Sequence, residues 1–307
     1  MINNHCYKFK HNKYKEGVLD SFIDATYILT VIGSTRINNI NKQLEYLIPT
    51  KNVFIVLNKS YKKCEKVLHK QISVYDIIDA NANAFEHSLK NNFNNILILE
   101  DDFIFSEKIK DKNIINDIKI FFDNNKNKVF FYTLGVYPFL FYPNINLFNN
   151  TYHSIFSVLA HSNIYNKKCR IEILKNINNI NSHWDVYLTL NYNNYFYKYP
   201  LIYQTFPETE NKQYWLSENK YSFFENFLKY LDDKRIKYLK LDIQPQPGFN
   251  IMYIALFILN YFIWLFIIII IFYSINYIIK NNNIFKNNNN LKNKNNLKNK
   301  NNLKNKI

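Results

Sequence analysis

Between residues 25 and 135, short runs of unbroken apolar residues alternate with longer stretches where apolar positions recur every three or four places. The runs are Tyr27–Ile32 (YILTVI), Val53–Leu57 (VFIVL), Ile96–Leu99 (ILIL) and Val129–Leu134 (VFFYTL). Each ends on a turn-forming, polar or acidic residue: Gly33-Ser34, Asn58, Glu100 and Gly135. The intervening stretches, Asn39–Leu47, Tyr61–His69, Ala84–Asn91 and Lys110–Phe122, have the spacing of amphipathic helices. Apolar strands separated by helical patterns predict an α/β fold, with a mostly parallel sheet flanked by helices on both faces. Ligands of such sheets bind beyond the carboxyl ends of the strands, so the strand-end residues are the first candidates for chemistry.

The pattern changes after residue 243. Gln244-Pro245-Gln246-Pro247-Gly248 reads as a linker. Ile251–Ile279 is then almost wholly apolar, broken by Asn260, Ser274, Asn276 and a few tyrosines. The stretch Ala255–Ile275 would span roughly 31 Å as a helix, matching a bilayer core of about 30 Å. Beyond it NNLKNK occurs three times, at 289–294, 295–300 and 301–306, a polar low-complexity tail with too little apolar area to fold. The organisation expected is an N-terminal extension (1–24), a globular domain (25–243), a linker (244–250), a transmembrane helix (251–279) and an Asn/Lys-rich disordered tail (280–307).

Charge refines this picture. The 307 residues carry a formal net charge of +15, yet eight lysines and no acid lie after residue 279, leaving +7 for the rest. With the excess confined to the tail, nucleic acid is not the expected partner; a mildly basic body suits a phosphate-bearing ligand. The tail lysines suit either anionic headgroups or plain solvation. Placed after the span, they favour a cytosolic tail with the domain outside. The N-terminal MINNHCYKFKHNKYKEG has no apolar signal-peptide core, which favours a tail-anchored protein with a cytosolic domain, and the latter is the expectation adopted. Cys6, Cys64 and Cys169, odd in number and far apart, read as free thiols of a reducing compartment.

The sharpest local signal is Glu100-Asp101-Asp102 at the mouth of Ile96–Leu99. Strand alternation places Glu100 and Asp102 on one side and Asp101 on the other. Two carboxylates held together repel unless a cation lies between them. Mg²⁺ or Mn²⁺ suits such a seat, taking one or two carboxylates plus water and substrate phosphate. A solvated acidic turn capping the next helix is the plainer alternative.

The segment NAFEHSLKNNFNNILILEDDFIFSE, from Asn83, resembles glycosyltransferase family 25 and related GT-A-fold transferases, including a group encoded by large DNA viruses. His87-Ser88 and Leu99–Asp102 match its pattern of a His or Ser-His on a helix followed by a strand ending Leu-Glu-Asp-Asp. Ala84-Phe85-Glu86 stand where the family carries Gly-Cys. Thr30–Arg36 (TVIGSTR) resembles the family's first strand and loop. His153–Tyr165, Ser182–Leu188 (SHWDVYL) and Tyr199–Asn211 (YPLIYQTFPETEN) follow the order of its acceptor half. The resemblance spans about residues 25–215.

It implies a GT-A-like fold and a divalent ion holding a nucleotide-sugar diphosphate, the ion offsetting charge on the departing UDP or similar group. By position, Glu100 and Asp102 are then metal or diphosphate residues, Asp101 a ribose or sugar contact, and Arg36 a bidentate diphosphate grip or else a solvated loop arginine. Asn58 and Asp79, at or near other strand ends, are candidate nucleoside contacts. In Ser182-His183-Trp184-Asp185, Asp185 is a candidate base for the acceptor hydroxyl, Trp184 a ring for the sugar to stack on, and His183 a further metal ligand. The same four residues also read as a helix N-terminus with Trp184 in the core. Gln204 and the 207–211 run either line the acceptor side or form a loop. His87 and His161 read as isolated, non-catalytic residues.

The expected function is a membrane-anchored, Mn²⁺- or Mg²⁺-dependent glycosyltransferase acting on a nucleotide-sugar donor, a UDP-sugar foremost, and a protein, lipid or glycan acceptor. The alternative is a non-catalytic membrane scaffold or virion protein with a degenerate transferase fold. A phosphoryl-transfer enzyme would want a P-loop or a nucleophilic Asp after the first strand, and Gly33-Ser34-Thr35 provides neither.

Overall fold

The computed structural model describes residues 4–144, 150–206 and 223–304, with side chains placed over 5–144, 150–206 and 230–279. The chain forms two compact units, Met1–Phe257 and Ile258–Ile307.

The first unit is an α/β body on a nine-stranded sheet. In chain order its elements are β1 (Tyr7–Lys13), β2 (Ala25–Val31), α1 (Ile37–Tyr46), β3 (Asn52–Asn58), α2 (Ser60–Lys63), α3 (Ser73–Lys90), β4 (Asn95–Glu100), β5 (Phe103–Phe105) and α4 (Lys112–Asn125). Then follow β6 (Phe130–Thr133), β7 (Tyr137–Phe141), β8 (Thr151–Val158), β9 (Ser162–Asn166), α5 (Lys167–Asn176), α6 (Trp184–Asn191), β10 (Asn193–Tyr197), β11 (Ile202–Gln204) and α7 (Phe223–Tyr238). The long helix α8 (Gly248–Lys304) begins in this unit and continues into the second.

The strand order is β1-β3-β2-β4-β9-β6-β10-β8-β7, and β5 pairs with β11 in a separate two-stranded sheet. Helices cover both faces. Leu97 and Leu99 of β4 point to the side of α1 and α4, where Ile40, Leu44, Ile118 and Phe122 pack. Ile96 and Ile98 point the other way, to Tyr75, Ile78 and Phe85 of α3, Ile173 of α5 and Leu188 of α6. This is the period-two alternation of a strand buried on both sides.

The sheet is mixed rather than mostly parallel. Only β2–β3, β2–β4 and β6–β10 run parallel; the other six pairings, β5–β11 included, are antiparallel. A parallel neighbour needs a crossover of about a dozen residues or more. The link from β7 to β8 is too short for that, and these two strands pair as an antiparallel hairpin.

The N-terminal extension is also part of the body. β1 is an edge strand antiparallel to β3, pairing Tyr7 with Asn58, and its lysines guard the edge. Of Tyr61–His69, expected to be helical, only the turn through Lys63 is. The rest carries Cys64 and Lys66. Cys64 is joined to Cys6 in a disulfide, against the expected free thiols, while Cys169 is free and buried. The 58 residues between the two cysteines concealed their proximity, which antiparallel pairing of β1 and β3 creates.

Residues 244–250, expected as a linker, pack onto the body: Phe249 is fully buried, and Gln246 Nε2 donates to the Tyr203 hydroxyl at 2.5 Å.

In the second unit α8 carries exposed Ile, Leu and Phe, Phe262 and Phe272 among them. Gly248–Ile279 is long and apolar enough to cross a membrane. The helix runs on to Lys304 through the repeats, where an unfolded tail was expected; propagation from a formed helix is far cheaper than nucleation.

Candidate functional site

The site is built where parallel strands β2 and β4 end. After β2 the chain turns at Gly33, whose φ of +83° suits glycine, and Arg36 caps the start of α1. After β4 it turns through Asp101 and Asp102 into β5. Asp101 points toward the β2 loop. Its Oδ2 accepts from the Thr30 hydroxyl at 2.7 Å and from Ser34 at 3.4 Å; its Oδ1 accepts from Arg36 Nη1 at 2.9 Å. Arg36 Nη1 also lies 3.7 Å from Asp102 Oδ2, so one guanidinium serves two acids. Asn39 fastens the turn from α1, donating to the peptide oxygens of Asp101 at 3.1 Å and Phe103 at 3.0 Å.

The second side of the site comes from β11. Gln204 Nε2 donates to Asp102 Oδ2 at 3.2 Å, and Thr205 N donates to the Asp102 peptide oxygen at 3.1 Å. Asp102 Oδ1 and Gln204 Oε1 are buried without a partner. Unsatisfied buried polar atoms are uncommon, and such atoms call for an explanation such as a bound ion or water.

Burial pushes the Glu100 carboxyl up to about 8, with the charges of Asp102, Asp101 and Asp185 adding and Arg36 opposing. Asp102 rises to about 6, first by burial and then by Asp101, against Arg36 and the Gln204 hydrogen bond. With all its acids ionised, the site would hold more negative charge than Arg36 compensates. Asp185 is near enough to act on Glu100, which joins two motifs some 85 residues apart on the chain.

Asp185 lies in the first turn of α6. Its Oδ1 accepts from Val186 N at 2.9 Å, and its Oδ2 from Leu159 N at 3.3 Å. Leu159, in the β8–β9 turn, has a φ of +81°, a strained value for a bulky residue. Two residues on, the peptide oxygen of His161 accepts from Glu100 N at 2.9 Å. His161 is fully buried, with Nε2 3.3 Å from the Ile202 oxygen and Nδ1 unpartnered, and burial lowers it to about 4. Gly135 opposes it: a Cβ there would stand 1.8 Å from the Ile202 oxygen and 2.7 Å from His161 Nε2.

Glu100, Asp101, Asp102, Arg36, Gln204 and Asp185 thus converge. Four other expected site residues, Trp184, Asn58, Asp79 and His183, are not among them. Trp184, expected to stack on a sugar, is a core residue 4% exposed, packed near Phe85 and Tyr187; the inward face of a first helical turn claims it. Asn58 and Asp79, expected nucleoside contacts, hold a buried cation instead. Lys66 Nζ donates to Asn58 Oδ1 and the Tyr7 hydroxyl, each at 2.6 Å, and to Asp76, while Tyr7 donates to Asp79 at 2.7 Å. A fully buried ammonium must be paired, and these are its partners. His183 is half-buried at the start of α6, its side chain making no capping bond.

His87 and Ser88 lie at the far end of α3: His87 bonds the Tyr27 hydroxyl at 2.8 Å, and Ser88 bonds Arg170. Pro207–Asn211 lies outside the described residues. Thr30, Ser34, Asn39 and Leu159 were not among the expected site residues, and His161 was read as isolated. Only Thr30 and Ser34, flanking a strand-end glycine, carried a signal in the sequence.

The carboxylates do not form a closed metal cage. Among the described residues, the group of three or more His, Cys, Asp or Glu with ligand atoms within 4.8 Å of one another is His5, Cys6 and Cys64, two of which form the disulfide. The open Asp102 Oδ1 and the undercompensated Glu100 fit a hard divalent ion using one or two protein oxygens and completing its shell from a ligand.

No family model and no curated protein matches the chain. Among solved structures it is similar to the crystal structure of A197 from STIV, at 12% identity and a TM-score of 0.38, over 61% of this chain and 87% of that one.

Proposed function

We propose that the protein is a membrane-anchored, divalent-metal-dependent glycosyltransferase of GT-A-like fold, taking a nucleotide-sugar donor. The observation that carries this reading is the convergence of Glu100, Asp102 and Arg36 at the parallel strand ends with Asp185 brought up from α6. Glu100 and Asp102 would hold Mn²⁺ or Mg²⁺, which supplies Lewis-acid stabilisation of the leaving diphosphate. Arg36, already poised on two carboxylates, can turn one N–H edge to a phosphate oxygen. Asp101, fixed by Thr30 and Arg36, orients that guanidinium and the β2 loop. Asp185 would accept a proton from an acceptor hydroxyl. Gln204 holds Asp102 and offers its free oxygen to a ligand.

The apolar helix serves as the anchor. Two features favour the domain lying on the oxidising side of the membrane with the tail in the cytosol: the Cys6–Cys64 disulfide and the lysines after the span. This reverses the orientation expected from the sequence.

The reading is tested by incubating the full chain in detergent with UDP-sugars and Mn²⁺ and measuring release of UDP. Turnover that Asp185→Asn lowers at least a hundredfold supports it. A folded protein with no turnover across several nucleotide sugars leaves the scaffold alternative, which the pairing of Arg36 with its own acids favours.

A further inference from the structure

The root of the apolar helix reaches the candidate site. Phe249, in the first turn of α8, is fully buried. Its ring centroid lies 4.6 Å from that of Tyr137, 5.3 Å from Tyr203 and, edge-on, 6.3 Å from His161. Leu256 belongs to the same apolar cluster, and Met252, Val158 and Leu159 pack against it. Tyr253 adds a hydrogen bond to the Tyr197 peptide oxygen at 3.0 Å.

The β8–β9 turn therefore has two faces. One is pressed on by the helix root through Leu159 and His161. The other holds the chemistry: Leu159 N bonds the Asp185 carboxylate, and the His161 oxygen bonds Glu100 N. Leu159 sits at a positive φ that a leucine adopts only when its surroundings enforce it. Leu159 packs against the apolar cluster to which Phe249 and Leu256 of the α8 root belong. Tyr203, edge-on to Phe249, is the neighbour of Gln204, which bonds Asp102.

We infer that the first turns of the apolar helix are a working part of the site, with Phe249 as a positioning residue. Its ring fixes the Leu159–His161 turn, and the turn sets Asp185 against Glu100. The inference rests on the proposed glycosyl transfer for its kinetic consequence, though not for its structural one. A side chain that positions a base without touching the donor affects turnover more than donor binding. A misplacement of about 1 Å at a reacting group costs on the order of a hundredfold.

The test uses the full chain in detergent with Mn²⁺ and UDP-glucose or whichever UDP-sugar the wild type turns over. Phe249→Ala is expected to lower kcat by roughly tenfold to a hundredfold with the donor Kd within about threefold. Phe249→Leu, which keeps most of the apolar volume, is expected to restore most of kcat. Unchanged kcat in Phe249→Ala overturns the inference, as does a fall in kcat matched by an equal loss of donor affinity. Should the wild type neither bind nor turn over any donor, the glycosyl-transfer reading fails by itself. Hydrogen exchange then decides the positioning claim. Phe249→Ala should speed exchange at the Leu159 and Glu100 amides at least tenfold while leaving β2 amides unchanged; equal exchange in wild type and variant overturns it.

Discussion

Arg36 and the three acids show how much a single side chain carries here. The guanidinium is about one-third exposed and answers both Asp101 and Asp102. Arg36→Ala should weaken nucleotide-sugar binding at least tenfold and cost about 1–3 kcal/mol of stability, because it leaves two partly desolvated carboxylates facing each other; calorimetry and thermal melting check the two halves. Protonation is linked to stability here. Glu100 and Asp102 bind protons more tightly folded than unfolded. The stability they contribute is full below their ordinary range near 4 and is lost as pH rises through about 6 and about 8. His161 has the opposite sign: lowered from 6.5 to about 4, it costs stability as pH falls through that window. Between pH 6.5 and 8 Glu100 dominates among these groups, so the melting temperature in chelator should fall across that window, and Glu100→Gln should flatten that fall. The acids were legible in the sequence because three charges on an apolar run stand out. His161 and Leu159 were not, since a lone histidine and a leucine carry no local sign of the turn that unites them.

The strands seen in advance are those whose side chains are buried on both faces. The runs around β2, β3, β4 and β6 match the structure to within two residues at each end, because doubly buried strands leave a continuous apolar signature. β1 and β7 to β10 were hidden: β1 by its lysines, the others by aromatic-rich, polar-interrupted strands that carry no continuous apolar run. The loop after α2 was read as helix because its polar spacing is right, whereas its purpose is to deliver Lys66 into the body. Lys66→Met should destabilise the domain by about 3–5 kcal/mol, because it removes the buried ammonium that Asp76 is paired with; a drop in melting temperature of several degrees checks it. The root of α8 makes a similar demand. Ending the chain at residue 243 removes Phe249, Tyr253 and Leu256, each buried and each worth about 1.5–3 kcal/mol. That sum rivals a domain's entire stability of about 5–15 kcal/mol. A chain ending at Phe257 should therefore fold and melt cooperatively, and one ending at Ile243 should not, as circular dichroism during heating would show.

At the scale of the whole molecule, the α/β class and the apolar C-terminal segment were plain from the chain, but the side of the membrane was not. A long domain obeys charge rules weakly, and two cysteines 58 residues apart advertise no partnership. Together the disulfide and the lysine tail predict that protease added to sealed microsomes leaves the domain protected, and that Cys6 and Cys64 are recovered as one disulfide-linked peptide pair; digestion of the domain with both thiols free would contradict that orientation. The central claim is that the strand-end carboxylates hold a metal and a nucleotide-sugar diphosphate. It is tested most directly by calorimetric titration of the full chain with UDP and UDP-sugars, with and without Mn²⁺, beside the Glu100→Ala/Asp102→Ala double variant. The account predicts binding that requires Mn²⁺ and that the double variant abolishes; a folded wild type that binds no nucleotide, or binds equally without the ion or the two acids, would contradict it.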